Sequence, residues 1–391
     1  MELRASAFAV VIASQVACSQ LDCREVYGEI AMAAPHLKNV QIENYRIFNR
    51  FFIDKFRRLN LIAGTNGTGK TTLLEAIFFL MDRGNIISLL RPLQWRQLPP
   101  SLEFARETLF GSLNNDTIRL VAETREGRAE VEYKWGPQKL PENQVVEIGK
   151  LEIDRRSEMD AKSESHDIGF SVLVKSDNIV KMARNIIPDI GGIKILEVQN
   201  DLKKLPPAVM LSRFTMHFAN DLAERYSSIA RSGKKEKVVE IAQRINPQIQ
   251  GVELFQVGNA PLLHVQLGKG SMVPASFAGD GVLTMLSIGL AIMNCEKGVV
   301  ILDEFDAAIH YSQLSTVWGF IAEMAREYDC QIFAATHSRE CIDAAVQGVT
   351  DKKCQSDFAY FRLDRVDEEI IPTAYDADEI ISAAQNDWEM R

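Results

Sequence analysis

The chain has 391 residues, with 44 lysines and arginines against 53 aspartates and glutamates, giving a formal net charge of −9. That length allows two or three domains, or one large α/β domain with an insertion, and a sizeable buried core. The acidic balance argues against a protein that binds nucleic acid over its whole surface, and no low-complexity tract points to a disordered chain.

Ala5 to Ala17 is an apolar stretch behind the single Arg4, resembling a short signal segment, yet Gln15 is a poor residue three places before Cys18 for lipoprotein processing. We read residues 1–34 as an N-terminal extension, disordered or lying ahead of a native start at Met32. No other segment approaches the roughly 20 apolar residues needed to span a bilayer, so no membrane partner is expected. Cys18, Cys23, Cys295, Cys330, Cys341 and Cys354 are scattered without a C-x-x-C pair, which fits a reduced, cytoplasmic protein with no cysteine metal site.

Residues 35–135 read as a first lobe. Leu37 to Tyr45 alternates like a strand, a second follows near Phe51-Phe52-Ile53, and Leu59-Asn60-Leu61-Ile62-Ala63 is a short buried one. Then comes Gly64-Thr65-Asn66-Gly67-Thr68-Gly69-Lys70-Thr71, which fits G-x-x-x-x-G-K-[ST]. Thr72 to Leu80 reads as a helix with apolar residues on one face. Strand, glycine turn and helix N-terminus are the setting a phosphate-binding loop needs. Asn66, Gly67, Thr68, Gly69, Lys70, Thr71 and Thr72 are the candidate nucleotide contacts, with the Thr71 hydroxyl placed for Mg²⁺. The chain is expected to bind a nucleoside triphosphate. Met81 to Pro100 looks irregular, and a hairpin is expected at Thr117–Ala122 and Ala129–Tyr133 around Glu126-Gly127.

Residues 136–250 read as an insertion, partly helical. Pro137 to Ser165 is polar and ambiguous, and Phe170–Val174 is strand-like. Between Val209 and Ile245 the pattern turns helical: Phe214, Phe218, Leu222 and Tyr226 share one stripe, and Val238, Ile241 and Ile245 continue it after Gly233. Lys234-Lys235-Glu236-Lys237 is the dense basic run, read as a solvated loop or helix start. No heptad pattern runs long enough for a coiled-coil arm.

Residues 251–391 form the second lobe. Strands are expected at Val252–Phe255 and Leu262–Leu267, then Gly279-Asp280-Gly281 opens an apolar helix to Met293. Val299-Val300-Ile301-Leu302 is a buried strand ending in Asp303-Glu304, where an aspartate can hold Mg²⁺ and a glutamate can deprotonate the attacking water. After the helix Leu314–Tyr328, the strand Gln331–Ala335 closes on Thr336-His337-Ser338, where His337 is placed to sense the γ-phosphate. Strands alternating with helices imply a largely parallel sheet with ligands at the C-terminal strand ends.

The ordered set of phosphate loop, Ser276-Phe277-Ala278-Gly279-Asp280-Gly281, Asp303-Glu304, His310-Tyr311-Ser312 and Thr336-His337-Ser338 resembles an ABC-type ATPase head. It is similar to the RecF and SMC group, and most to the AAA ATPases related to the overcoming-lysogenisation-defect (OLD) family. Asn44-Tyr45-Arg46 and the closing Trp388-Glu389-Met390-Arg391 share in the likeness. The resemblance implies an α/β P-loop NTPase with a mixed sheet flanked by helices and a mostly helical insertion. It also implies ATP and Mg²⁺ as ligands, with catalytic Glu304 and His337 and metal-holding Thr71 and Asp303. It further implies a homodimer or higher oligomer joined through an ATP sandwich, with Ser276, Gly279, Asp280 and Gly281 reaching the partner's nucleotide. The segment departs from the Leu-Ser-Gly-Gly-Gln signature, since Ser276 lies one place early and Asp280-Gly281 replaces Gly-Gln. The Q-loop glutamine stays open among Gln94, Gln97, Gln138 and Gln144, and the adenine contact among Tyr45 and Phe48.

Three functions compete. The first is the ATPase of an antiphage defence system with a separate effector, because the stretch after Ser338 is too short for the Toprim nuclease domain that OLD-type proteins carry. The second is a RecF-like repair ATPase binding duplex DNA directly. The third, a small-molecule kinase, is opposed by the long separation of Lys70 from Asp303 and by the Thr336-His337-Ser338 turn.

Overall fold

The computed structural model describes residues 35–82, 90–96, 98, 101–110, 116–137, 146–152, 168–177, 179–189, 192–199 and 206–385. The expected N-terminal extension, the candidate glutamines Gln97, Gln138 and Gln144, and the closing Trp388–Arg391 lie outside these residues.

The centre is a six-stranded sheet. Its strands in spatial order are β10 (Ala208–Ser212), β14 (Val299–Asp303), β15 (Gln331–Ala335), β3 (Leu59–Ala63), β16 (Phe358–Val366) and β17 (Glu369–Tyr375). All pair in parallel except the last, which turns back on β16. Period-two alternation explains how both faces are covered. Leu59, Leu61, Val300, Leu302, Ile332 and Ala334 enter one core, while Ile62, Val299, Ile301, Phe333 and Ala335 enter the other. The first core is roofed by helices, chiefly α6 (Asp280–Asn294), α7 (Leu314–Glu327) and α8 (Arg339–Asp351). The second contains α1 (Lys70–Met81), enclosed between the central sheet and an eight-stranded sheet that includes β1 (Val40–Tyr45), β2 (Phe48–Ile53), β4 (Thr117–Thr124) and β5 (Gly127–Pro137).

That enclosure corrects the one-faced reading of the helix after the phosphate loop: every residue of α1 except Thr71 is buried. A helix apolar all round belongs between layers. Its one buried carboxylate, Glu75, is met by the Arg46 and Arg96 guanidiniums, each at 2.7 Å, and by the Tyr45 hydroxyl at 2.9 Å. The β1–β2 turn and the short helix α2 (Arg91–Trp95) are thereby tied to the helix that starts at the nucleotide loop.

The segment 136–250 does not stand apart from the lobes. β5 crosses its first boundary and pairs with β7 (Ile168–Ser176), and β6 (Val146–Glu152), β8 (Ile179–Asp189) and β9 (Gly192–Gln199) extend the same sheet. The helical reading also begins too early. Val209 lies in β10, Phe214 sits 56% exposed in a turn, and the helices are α4 (Ala219–Arg231) and α5 (Lys235–Gln243). Four apolar residues in a row fit a buried parallel strand as well as a helix stripe. The hairpin expected around Glu126-Gly127 forms, and the strands expected at Val252–Phe255 and Leu262–Leu267 pair with each other as a second one. Among the described residues, no helix is long and apolar enough to cross a membrane.

The eight-stranded sheet carries an ion cluster around the buried Glu130. Glu130 accepts from Arg119 Nε and Nη2 at 3.1 and 3.0 Å and from Lys175 Nζ at 2.9 Å. The Arg119 bond leads in pulling its carboxyl down to about 2, against the opposing effect of burial. A depressed carboxyl pKa stabilises the fold above the ordinary carboxylate range, and that contribution fades as pH falls towards the folded value. Glu130→Gln should therefore destabilise the protein at pH 7 by about 2 kcal/mol. In urea titrations the gap to wild type should narrow at about pH 3; a gap independent of pH would contradict the assignment.

Candidate functional site

Four strands of the central sheet end at the same edge. β3 runs into the phosphate loop, β14 ends in Asp303-Glu304, β15 in Thr336-His337, and β10 in Ser212-Arg213. The loop turns through Gly64, Gly67 and Gly69, with φ of 148°, 82° and 87°. Gly69 caps α1 in the left-handed region, and a Cβ there would lie 2.7 Å from both Ile47 Cδ1 and Phe48 Cζ. Only glycine fits that corner without strain. The helix start then presents free N–H groups and partial positive charge to solvent, which is the requirement for binding phosphate.

Lys70 is 8% exposed, and its Nζ donates to the carbonyls of Gly64 at 2.7 Å and Thr65 at 3.0 Å. Burial lowers its pKa, opposed by the negative charges of Asp303 and Glu304. Thr68 closes the loop by donating to Thr65 O at 2.9 Å. Asn66 and Gly67 at the crown are exposed, while Thr72 is buried behind the helix start.

Across the edge, the Thr71 hydroxyl lies 3.0 and 3.2 Å from the two carboxylate oxygens of Asp303. These residues stand 232 positions apart in sequence, so the fold alone brings them together. Burial pushes the Asp303 carboxyl up to about 6, partly offset by the Thr71 hydrogen bond. A hydroxyl and a carboxylate are hard oxygen donors, the set Mg²⁺ takes together with phosphate oxygens and water. The pair therefore fits that ion. Among the described residues, no group of three or more His, Cys, Asp and Glu could hold a metal by itself.

Glu304 follows in the left-handed conformation, φ 52°, with its N–H donating to Ala335 O at 3.2 Å. The turn swings its carboxylate into a half-exposed position, where Oε1 lies 3.8 Å from His337 Nδ1. Phosphate loop, acidic strand end and histidine turn thus meet at one edge, as the sequence implied.

The segment Ser276–Gly281 is not part of this cluster. Gly281 has Gln313, Ile245 and Ala308 as its nearest neighbours, and Ser276, Gly279 and Asp280 face solvent at the start of α6. Phe277 within it is 82% exposed, and Tyr311, in the turn beside Gln313, is 69% exposed. Tyr45 and Phe48 are buried and cannot stack on an adenine; burial hid from sequence reading that the Tyr45 hydroxyl serves Glu75. Gln94, the one described Q-loop candidate, sits half-buried in α2.

One residue at the edge escaped the sequence reading. Ser212 pairs in register with Asp303, so exposed Arg213 follows one strand away from Glu304. The Ser212 N–H donates to Thr215 Oγ1 at 3.1 Å, and Met216 N–H to Ser212 O at 2.9 Å, which fixes the turn that carries it. A guanidinium there matches phosphate geometry. The signal was the strand at Val209, absorbed into a helix stripe.

The family described as "AAA domain, putative AbiEii toxin, Type IV TA system" matches residues 59–343, from the phosphate-loop strand to beyond the histidine turn. The chain belongs to this AAA family. The AAA chain is 25% identical over 370 residues to a Helicobacter pylori "ATP/GTP phosphatase", covering 87% of this chain and 95% of that protein. A shorter stretch of 44 residues is 36% identical to the Clostridium acetobutylicum DNA replication and repair protein RecF, 11% of this chain and 12% of that one. Among solved structures, an Smc head bound to the C-winged helix domain of ScpA overlays with a TM-score of 0.49 at 11% identity, covering 89% of this chain and all of that one. The family match and the phosphatase relative support nucleotide hydrolysis.

Proposed function

We propose that the protein is an ATP-hydrolysing switch that closes as a homodimer or higher oligomer around nucleotide. The observation that carries this is the meeting of Thr71 with Asp303, beside which Glu304 and His337 face each other. The loop N–H groups and Lys70 grip the phosphates, and Thr71 and Asp303 hold Mg²⁺, which when bound neutralises charge on the leaving phosphates. Glu304 orients the attacking water and takes its proton; His337 hydrogen-bonds the terminal phosphate and loses that bond when it departs.

Oligomerisation is supported by the exposure of the segment at the start of α6. Glycine-opened α6 begins at exposed Gly279 and Asp280, and Phe277 and Tyr311 are 82% and 69% exposed. Such a start fits the terminal phosphate of a nucleotide held by another copy. Phe277→Ser should weaken nucleotide-dependent dimerisation about 30-fold or more while each monomer still binds ATP. Light scattering with ATP measures this; an undiminished dimer would remove Phe277 from the interface.

Residues 339–385 form α8, β16, β17 and α9 (Ala377–Gln385), which add side chains to the ATPase core. We place the switch in antiphage defence, with a Toprim-type nuclease as the effector class to test first. A pull-down with the hydrolysis-deficient Glu304→Gln protein tests this; recovery of no nuclease from infected cells would count against it. The RecF likeness favours a second reading, direct binding of duplex DNA. It requires affinity that falls steeply with salt, and absence of binding at low salt rejects it.

A further inference from the structure

The reaction as described leaves one buried carboxylate unused. Asp306 lies in the tight turn Phe305–Ala308 just beyond Glu304 and is 9% exposed. Its Oδ2 accepts the Thr336 hydroxyl at 2.7 Å, while its Oδ1 is buried with no hydrogen-bond partner. Burying a carboxylate with one oxygen unmatched is costly, and such groups usually mark a functional constraint.

The constraint is visible in what Thr336 touches. Its side chain is fully buried, its N–H donates to Ile62 O at 3.0 Å, and its Oγ1 accepts from Ser338 N–H at 3.0 Å. Thr336 therefore anchors the backbone on both sides of His337, at its own N–H and at Ser338 N–H. The parallel ladder between β14 and β15 ends at the pair Asp303 and Ala335. Past it, the turns bearing Glu304 and His337 are tied by the Glu304 N–H to Ala335 O and by the Asp306–Thr336 bond. Glu304 and His337 themselves are 3.8 Å apart, too far to hold one another by a hydrogen bond. Their separation has to be set from beneath.

We propose that Asp306 is a positioning residue which, through the Thr336 hydroxyl, sets the geometry of the Glu304–His337 pair for hydrolysis. The proposal rests on the ATPase reading above. Asp306 touches no nucleotide; it fixes the distance between the residue that activates water and the residue that meets the terminal phosphate. An apolar residue would pack at this depth with less penalty, yet it could not bridge the two turns.

Thr336→Val keeps the shape and removes both the bond to Asp306 and the acceptor for Ser338 N–H, whereas changes at Asp306 remove only the first. It should lower kcat for ATP hydrolysis about tenfold to a hundredfold, with ATP affinity unchanged within about twofold. Thr336→Ser, which restores the hydroxyl, should recover most of the loss. Asp306→Asn keeps an acceptor oxygen and should stay within about threefold of wild type, whereas Asp306→Ala should show a loss in the same range as Thr336→Val. If Thr336→Val fails to fold, the contrast between Asn and Ala at 306 decides the matter. Wild-type kcat in Thr336→Val or in Asp306→Ala overturns the proposal. So does a loss of ATP affinity in step with kcat, which marks a general structural role. A wild-type protein that hydrolyses no ATP overturns the underlying ATPase reading instead.

Discussion

Glu304→Gln is expected to reduce ATP hydrolysis by about 10²–10⁴-fold while ATP binding persists. Glutamine preserves the length and polarity of the side chain but cannot accept the proton from water. The left-handed backbone at 304, held by its N–H bond to Ala335 O, is independent of the side chain, so the substitution should not disturb the turn. The proposed phosphate grip is the loop and Lys70, whose ammonium is held by the Gly64 and Thr65 carbonyls and not by Glu304. The bound triphosphate should accumulate, and with it the nucleotide-dependent oligomer. Phosphate release and light scattering measure the two halves of the expectation. Turnover within a few-fold of wild type would mean that another group activates the water.

Lys70→Ala should weaken nucleotide binding about 100-fold or more. A charge-assisted hydrogen bond contributes about 1.5–3 kcal/mol, and the ammonium serves more than one phosphate oxygen. Lys70 is buried against the carbonyls of Gly64 and Thr65, so its position is set before nucleotide arrives and little ordering cost remains. The variant leaves the Gly64 and Thr65 carbonyls without their ammonium donor, so it should also lose some stability. Thermal melting with and without Mg-ATP separates the two effects: the wild type should gain stability from the ligand and the variant should not. Equal affinity in both proteins would contradict the phosphate-loop assignment.

Much of this site was legible in the sequence because its chemistry is concentrated in short runs at strand ends. Gly64 to Thr71, Asp303-Glu304 and Thr336-His337 each carry a local backbone requirement, a glycine turn or a strand closing on polar residues. What the sequence concealed was non-local. The strand at Ala208–Ser212 is buried by pairing with β14, so its apolar run lacks the alternation that would separate it from a helix. Glu75 and Asp306 are ordinary acids in sequence and acquire meaning only through partners such as Arg46, Arg96 and Thr336. Tyr45 suggested a ligand contact because it precedes the loop, whereas its ring is part of the core. The β16–β17 hairpin and the short helices after Leu90 carried no motif and were not anticipated.

The placement of β3 has a consequence for how the molecule is made. Its two neighbours are β15 and β16, so Leu59 pairs near Ile332 on one side and with Phe358 on the other. The preceding segment is bound across the same span: Leu37 N–H donates to Gln331 Oε1 at 2.7 Å and His36 Nε2 lies 3.0 Å from Asp329 O. Contacts of such sequence separation close large loops before they return any stability, which slows folding. While the chain emerges from the ribosome, the phosphate-loop strand remains an unpaired apolar segment until residues beyond 330 are available. On the proposed reading ATP binds the completed edge, and it should then favour the finished fold by mass action and act as a late folding ligand.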